Sequence, residues 1–224
     1  MAAVIRKDLN IKLDMKAVMD RLRVPEDLDE DFADIFEECE KIADPGYIYA
    51  EVSVSQTENT TIVGGAEFES RIMYGNFKGQ DKAWAYVLTC GKNLYELAKT
   101  KIDPLERYWV DSIAETYLGA MHPIMHAEVA AIAGVERLYS MNPGSLEDFP
   151  LACQRPLFDM IGDVEAGIGA WLTDSFLILP YKSGSGIYFK SDSHYENCSM
   201  CPKANCPNRR APYDGMMFET KYAK

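Results

Sequence analysis

No apolar run in the 224 residues reaches the roughly 18 needed to cross a bilayer as a helix, so no membrane association is expected. Basic residues are outnumbered, 23 against 35 acidic ones, for a formal net charge of −12. Phosphate neutralisation needs a basic face and no such stretch stands out, which argues against a nucleic-acid binder. There is no internal repeat and no linker long enough to separate two folded domains. No general acid–base pair or activated nucleophile stands out, so the chain does not read as a hydrolase. The stretch Met1-Ala-Ala-Val-Ile-Arg-Lys-Asp meets charge at once and holds no signal-peptide core, so a cytoplasmic location with reduced thiols is expected.

What is present is an ordinary globular composition, 47% hydrophobic and 26% charged, which excludes collagen, coiled coil and wholesale disorder. A chain of this length buries roughly 70% of its unfolded surface and needs no covalent staples. Six cysteines are present. Cys39, Cys90 and Cys153 sit singly in apolar segments and read as small packed hydrophobes. Cys198, Cys201 and Cys206 lie within nine residues of one another.

Apolar spacing predicts helices within 12–43, through Leu13, Val18 and Leu22, and then Phe32, Ile35, Phe36 and Cys39. The acidic residues between them form solvated faces, and Asp44-Pro-Gly46 stops the second helix. Tyr47–Ser55 and Ala83–Cys90 read as strands, with Thr60–Val63 as a neighbour of the first. Helices are expected over 92–101 and from Pro104 to about Ala133, with a pause at His122-Pro123. A turn follows at 140–145, then helices near 150–161 and 164–170. Short strands at 176–179 and 187–189 are joined by a turn over 182–186. The prediction is an α+β fold in three parts: an N-terminal helical segment (1–44), an α+β domain (45–190) and a cysteine-rich tail (191–224). The tail is polar and has too few apolar residues for a core of its own.

Cys198-Ser-Met-Cys201-Pro-Lys-Ala-Asn-Cys206 is the strongest chemical signal. C-x2-C aims two thiolates at one ion from a tight turn, and C-x4-C adds a third from a short loop. Thiolates select zinc or an iron–sulfur cluster by softness. Three local ligands leave an open position on a 4Fe–4S cluster, or take His194 or Cys153 as a fourth ligand. Clustered thiols at ligand spacing in a reducing compartment more often bind metal than pair as disulfides.

Other patterns carry less. His122 and His126 are four apart with Glu128 nearby, but Pro123 and the apolar neighbours favour packed or surface histidines over a metal site. Asp192-Ser-His194 begins a cobalamin-type D-x-H-x-x-G pattern whose glycine is missing. Gly184-Ser-Gly186 is too short for a phosphate loop and reads as a hairpin turn.

A longer run of motifs does carry information. Asn142-Pro-Gly-Ser, Phe149-Pro-Leu, Gln154-Arg-Pro-Leu-Phe158, Ile168-Gly-Ala-Trp-Leu-Thr-Asp-Ser175, Pro180 and Ser183-Gly-Ser-Gly-Ile-Tyr-Phe189 follow in order. Together they resemble the activation (reactivation) domain of cobalamin-dependent methionine synthase. The resemblance is specific over about 140–190 and thinner over 45–135, where the Thr89-Cys-Gly91 turn agrees. The tail from Cys198 to Tyr213 resembles that of small stand-alone relatives. The resemblance implies a bent antiparallel sheet with helices packed around it. It implies a domain that presents S-adenosylmethionine to a corrinoid and so restores methylcobalamin from Co(II) with an outside electron. It implies a ligand groove at Asn142, Pro143, Gly144 and Ser145, at Ser183, Ser185, Gly186 and Tyr188 of the following strand, and at Tyr195.

Two departures bear on that groove. Ser140 stands where the family has an arginine that could hold the donor's carboxylate, and Ser145 stands where it has a tyrosine. Weak or absent S-adenosylmethionine binding is therefore expected. The function expected is an accessory protein that reductively activates a corrinoid-dependent methyltransferase such as methionine synthase, rather than an independent catalyst. Cys198, Cys201 and Cys206 would hold an iron–sulfur centre. The rivals are a zinc-stabilised binding or interaction module without a redox role, and a methyl-transfer protein that retains S-adenosylmethionine.

Overall fold

The computed structural model describes residues 3–7, 9–192, 194–203, 205–206 and 209–222. Met1, Ala2 and Asp8 of the charged N-terminal stretch, and Ala204, Pro207 and Asn208 of the cysteine-rich stretch, lie outside the described residues. The elements run β1 (Val4–Arg6), α1 (Met15–Leu22), α2 (Asp29–Ile42), β2 (Gly46–Gln56), β3 (Thr61–Val63), β4 (Ala66–Phe68), α3 (Arg71–Asn76), β5 (Lys82–Thr89) and α4 (Lys92–Thr100). They continue with α5 (Pro104–Ala133), β6 (Tyr139–Met141), α6 (Gln154–Ile161), α7 (Val164–Ile168), β7 (Trp171–Leu172), β8 (Ile178–Leu179), β9 (Ser183–Phe189) and α8 (Met217–Tyr222).

Seven strands form one antiparallel sheet in the order β4-β3-β2-β5-β9-β6, with β1 also paired to β2. The alternation of period two sorts side chains cleanly between its faces. Tyr47, Tyr49, Trp84, Tyr86 and Tyr188 point to one face, where Met121, Met125 and Val129 of α5 cover them. Ile48, Ala50, Ala85, Val87, Ile187 and Phe189 point to the other, against Leu157, Phe158 and Ile161 of α6 and Val164 and Ile168 of α7. Beyond the sheet, α1, α2, α4 and the first half of α5 close on Phe32, Phe36, Leu94, Trp109 and Ile113. Phe32 meets Trp109 edge-on, with ring centroids 5.4 Å apart. Each large side chain buried in this way contributes roughly 1.5–3 kcal/mol.

The α5 helix begins where the sequence says it should. Asp103 accepts the Leu105 N–H at 2.7 Å, Pro104 sits at the first helical position, and Gly134 ends the helix at φ 70°. The expected pause at His122-Pro123 does not occur, and the helix is continuous for 30 residues. Met121, Met125 and Val129, all fully buried, hold both halves on the sheet and outweigh the missing hydrogen bond at Pro123. Two further expectations are corrected. Gly184-Ser-Gly186 is not a turn but part of β9, paired residue by residue with β5 from Ser183↔Thr89 to Tyr188↔Trp84. Only Ile178–Leu179 of the 176–179 stretch is a strand, paired with β7. The tail contributes more to the core than its composition suggested. Tyr195 and Tyr222 are buried in it, and Tyr222 Oη donates to Asn76 Oδ1 at 2.9 Å. Among the described residues, no helix is long and apolar enough to cross a membrane.

Candidate functional site

The β9 edge toward β6 supports a polar network built from residues far apart in sequence. Gly186 lies opposite Tyr86 in the β5–β9 register. A Cβ there would sit 2.6 Å from Asn142 Nδ2 and 2.7 Å from Tyr86 Oη, so only glycine lets these two groups close over the strand. Asn142 Nδ2 donates to Tyr86 Oη at 2.9 Å and to the Ser185 carbonyl at 2.8 Å. Tyr86 Oη is also 2.7 Å from Ser140 Oγ. Burial pushes the Tyr86 phenol up, against the bonds from Ser140 and Asn142, so it stays protonated. Its ring stacks on Tyr188 with centroids 4.3 Å apart.

This network floors a cleft of about 590 Å³ whose walls include Leu88, Leu118, His122, Pro143, Gln154 and Ile178, with Arg21 and Arg210 also facing it. Burial, then His126 and Arg210, lower the His122 pKa, which leaves that ring uncharged at neutral pH. His122 and His126 both stand edge-on to Tyr188, and His126 Nε2 lies 3.1 Å from the Leu138 carbonyl. They pack; among the described residues no group of three or more His, Cys, Asp or Glu side chains is gathered as metal ligands.

The expected groove residues separate into three places. Asn142, Pro143, Ser183 and Ser185 line the cleft, with Gly186 and Tyr188 beneath it. Gly144 and Ser145 face a second cavity of about 850 Å³, beside Arg71, Asp148, Met200 and Tyr213. The 142–145 turn is thus a wall between two cavities. Tyr195, expected in the groove, is 3% exposed and packs edge-on against Phe189 instead. It reaches the site only through Asn197, whose Oδ1 accepts its hydroxyl at 2.6 Å. Asn197 Nδ2 in turn donates to Asn142 Oδ1 at 2.9 Å.

The cysteine loop starts one residue further on. Cys198, Cys201 and Cys206 are free and half-buried. Arg209 holds the loop closed: its guanidinium donates to the carbonyls of Cys198 at 2.8 Å, Cys201 at 2.9 Å and Ala211 at 3.1 Å, and also to that of Lys203. Burial raises the Cys198 thiol, but hydrogen bonds from the Arg210 backbone N–H, the Arg210 guanidinium and the Ala211 N–H outweigh it and bring its pKa below the ordinary thiol value. By contrast burial pushes Cys39 and Cys90 up to about 12, the behaviour of inert packed thiols. Cys153 is also raised by burial and packs against the core at the start of α6, and His194 stands edge-on to Tyr139. Cys198, Cys201 and Cys206 are all described, yet the structure does not gather their side chains as a metal-ligand group; what remains is the soft donor chemistry of three reduced thiols in one loop.

Arg210 joins the two sites, since it lowers the Cys198 thiol pKa and lines the cleft. The sequence reading did not single it out, although the Arg209-Arg210 pair lies inside the tail pattern. Gln154 stands in the sequence only as part of a motif, and its place in the cleft depends on α6 packing under β9.

The fold is an α+β arrangement around a curled antiparallel sheet. Among solved structures, "Crystal Structure of the MetH Reactivation Domain bound to AdoHcy" shares it, with a TM-score of 0.54 over 87% of this chain and 81% of that one, at 14% sequence identity. No protein-family model and no curated protein matches the sequence.

Proposed function

We propose that this chain is of the reactivation-domain type and services a corrinoid-dependent methyltransferase in trans. Three things support the reading: the fold shared with the MetH reactivation domain, the run of motifs over 140–190, and a cleft built from those motifs. The neighbour was crystallised with AdoHcy, and an S-adenosyl compound is the ligand class we propose for the cleft. A cleft of about 590 Å³ falls in the range of small-molecule sites. The work of such a domain is positioning: it holds a methyl donor in line with a metal centre carried by another protein, which converts an encounter into an oriented reaction.

Cys198, Cys201 and Cys206 are the proposed ligands of an iron–sulfur cluster. Such a group would supply a single electron beside the cleft. What supports this part is the shared arginine: Arg210 lowers the Cys198 thiol pKa and also lines the ligand cleft, so a redox centre and a ligand would lie side by side. A cytoplasmic location, where thiols stay reduced, completes the proposal.

The test is preparation without oxygen, followed by metal analysis and an electronic spectrum. Stoichiometric iron with absorbance near roughly 400 nm supports the cluster. Stoichiometric zinc without iron replaces it with a zinc-stabilised binding module. Neither metal in stoichiometric amount contradicts the metal assignment.

A further inference from the structure

Hydrogen-bond capacity in the cleft between α5, β9 and residues 140–143 is one-sided. Three of its side-chain acceptors are engaged. Asn142 Oδ1 takes the Asn197 amide at 2.9 Å, and Gln154 Oε1 takes the Ser185 hydroxyl at 2.6 Å. The Glu115 carboxylate takes Lys182 Nζ at 2.9 Å. Its donors are not all engaged. Gln154 is 5% exposed, yet its Nε2 donates to nothing among the described residues and is not sealed off from the cavity. The Arg210 guanidinium stands at the same cleft with its side chain 58% exposed, and its carboxylate partner Glu196 is 3.3 Å away and shared with Arg137. An amide N–H that opens into a cavity is available to an acceptor on a ligand. The same cleft is lined by a guanidinium, the group best shaped to grip two oxygens in one plane. Leu88, Leu118 and Ile178 make the rest of the wall apolar.

We propose that the cleft binds an organic carboxylate, with the Arg210 guanidinium and the Gln154 amide holding the anion and Leu88, Leu118 and Ile178 covering its apolar body. This rests on the reading of the cleft as a ligand site, and it reverses the expectation that Ser140 leaves the groove without a cation. The cation comes from the tail, not from the turn. A planar carboxylate matches the planar fork of a guanidinium. Arg210 is thereby the residue through which the cysteine loop decides what the cleft accepts.

The experiment is calorimetry on the full chain and on Arg210→Gln, an exposed position that leaves the core intact. The probes are S-adenosylhomocysteine, methylthioadenosine (the same thioether without the carboxylate), L-methionine and inorganic phosphate. The expected result is binding of S-adenosylhomocysteine and L-methionine that weakens about tenfold or more in Arg210→Gln. Methylthioadenosine should bind both proteins alike. Equal affinity of the carboxylate probes for both proteins overturns the proposal, as does absence of binding by every carboxylate probe. Arg210-dependent binding of phosphate alone also overturns it. If L-methionine binds through Arg210 while S-adenosylhomocysteine does not bind, the carboxylate site stands and the S-adenosyl assignment falls.

Discussion

Asn197→Ala tests whether the C-terminal segment is part of the groove or only lies near it. The side chain is 7% exposed and makes three hydrogen bonds. Its Nδ2 donates to Asn142 Oδ1 at 2.9 Å and to the Ser140 carbonyl at 3.3 Å, and its Oδ1 accepts from Tyr195 at 2.6 Å. An ordinary bond nets about 1 kcal/mol, and the long one to Ser140 counts for less. The larger part of the loss is the Tyr195 hydroxyl. It is buried behind Phe189 and would be left without an acceptor, at about 1–3 kcal/mol. The sum is about 3 kcal/mol. Urea unfolding followed by tryptophan fluorescence reads this as a lower midpoint at unchanged slope. Asn197→Asp should be no milder, because it keeps the acceptor for Tyr195 but sets a carboxylate against Asn142 Oδ1. A loss below about 0.5 kcal/mol for Asn197→Ala would refute the view that the tail is hydrogen-bonded into the sheet.

Other outcomes follow from the same geometry. Gly91→Ala should destabilise by about 3 kcal/mol or abolish soluble expression, since φ is 97° and the new Cβ would lie 1.9 Å from Asp44 Oδ1; a thermal melt close to wild type would contradict this. Glu128 accepts from Tyr47, Tyr49 and Arg6, and although burial raises its carboxyl these bonds outweigh it and hold it below its usual 4.5. The stability it contributes is therefore fully present above the unfolded value and lost as pH falls through the lower folded one. Glu128→Gln should cost about 1–2 kcal/mol at pH 7, with the difference from wild type shrinking below about pH 4.5 in urea titrations run across pH. Cys198→Ser should remove most bound metal from anaerobically prepared protein, as metal analysis would show, and leave the far-ultraviolet circular dichroism unchanged.

The parts of the fold that announce themselves are those whose periodicity is local. α2, α5 and the long β2 and β5 strands follow from apolar spacing and punctuation alone, with Pro104 and Gly134 at the ends of α5. The errors come from tertiary override. The spacing puts an interruption at Pro123 in a helix that packing keeps whole, and of the two glycines that look like a turn Gly186 clears space above β9 for Tyr86 and Asn142 while Gly184 faces Leu88. β1 and β6 are three residues each and exist only because β2 and β9 offer edges, so nothing local signals them. Asn142, Pro143, Ser183 and Ser185, which the motif run singles out, line one cleft. The splitting of the 142–145 turn between two cavities was not legible in the sequence, nor was the retreat of Tyr195 into the core. Arg210 was invisible as a cleft residue because its role depends on a tail that folds back through Asn197 and Tyr222.

The central claim is that the protein acts on a corrinoid held by another protein, with the cysteine loop as its redox end. The measurement is anaerobic. The protein is reduced, freed of excess reductant by gel filtration, and mixed with a corrinoid methyltransferase carrying Co(II). Absorbance then follows Co(I), or methylcobalamin once S-adenosylmethionine is added. The account predicts that Co(II) is consumed in proportion to the reduced protein added. It predicts no consumption with the variant carrying Cys198→Ser, Cys201→Ser and Cys206→Ser together. Equal consumption with that variant, or none with the wild-type protein, would contradict it.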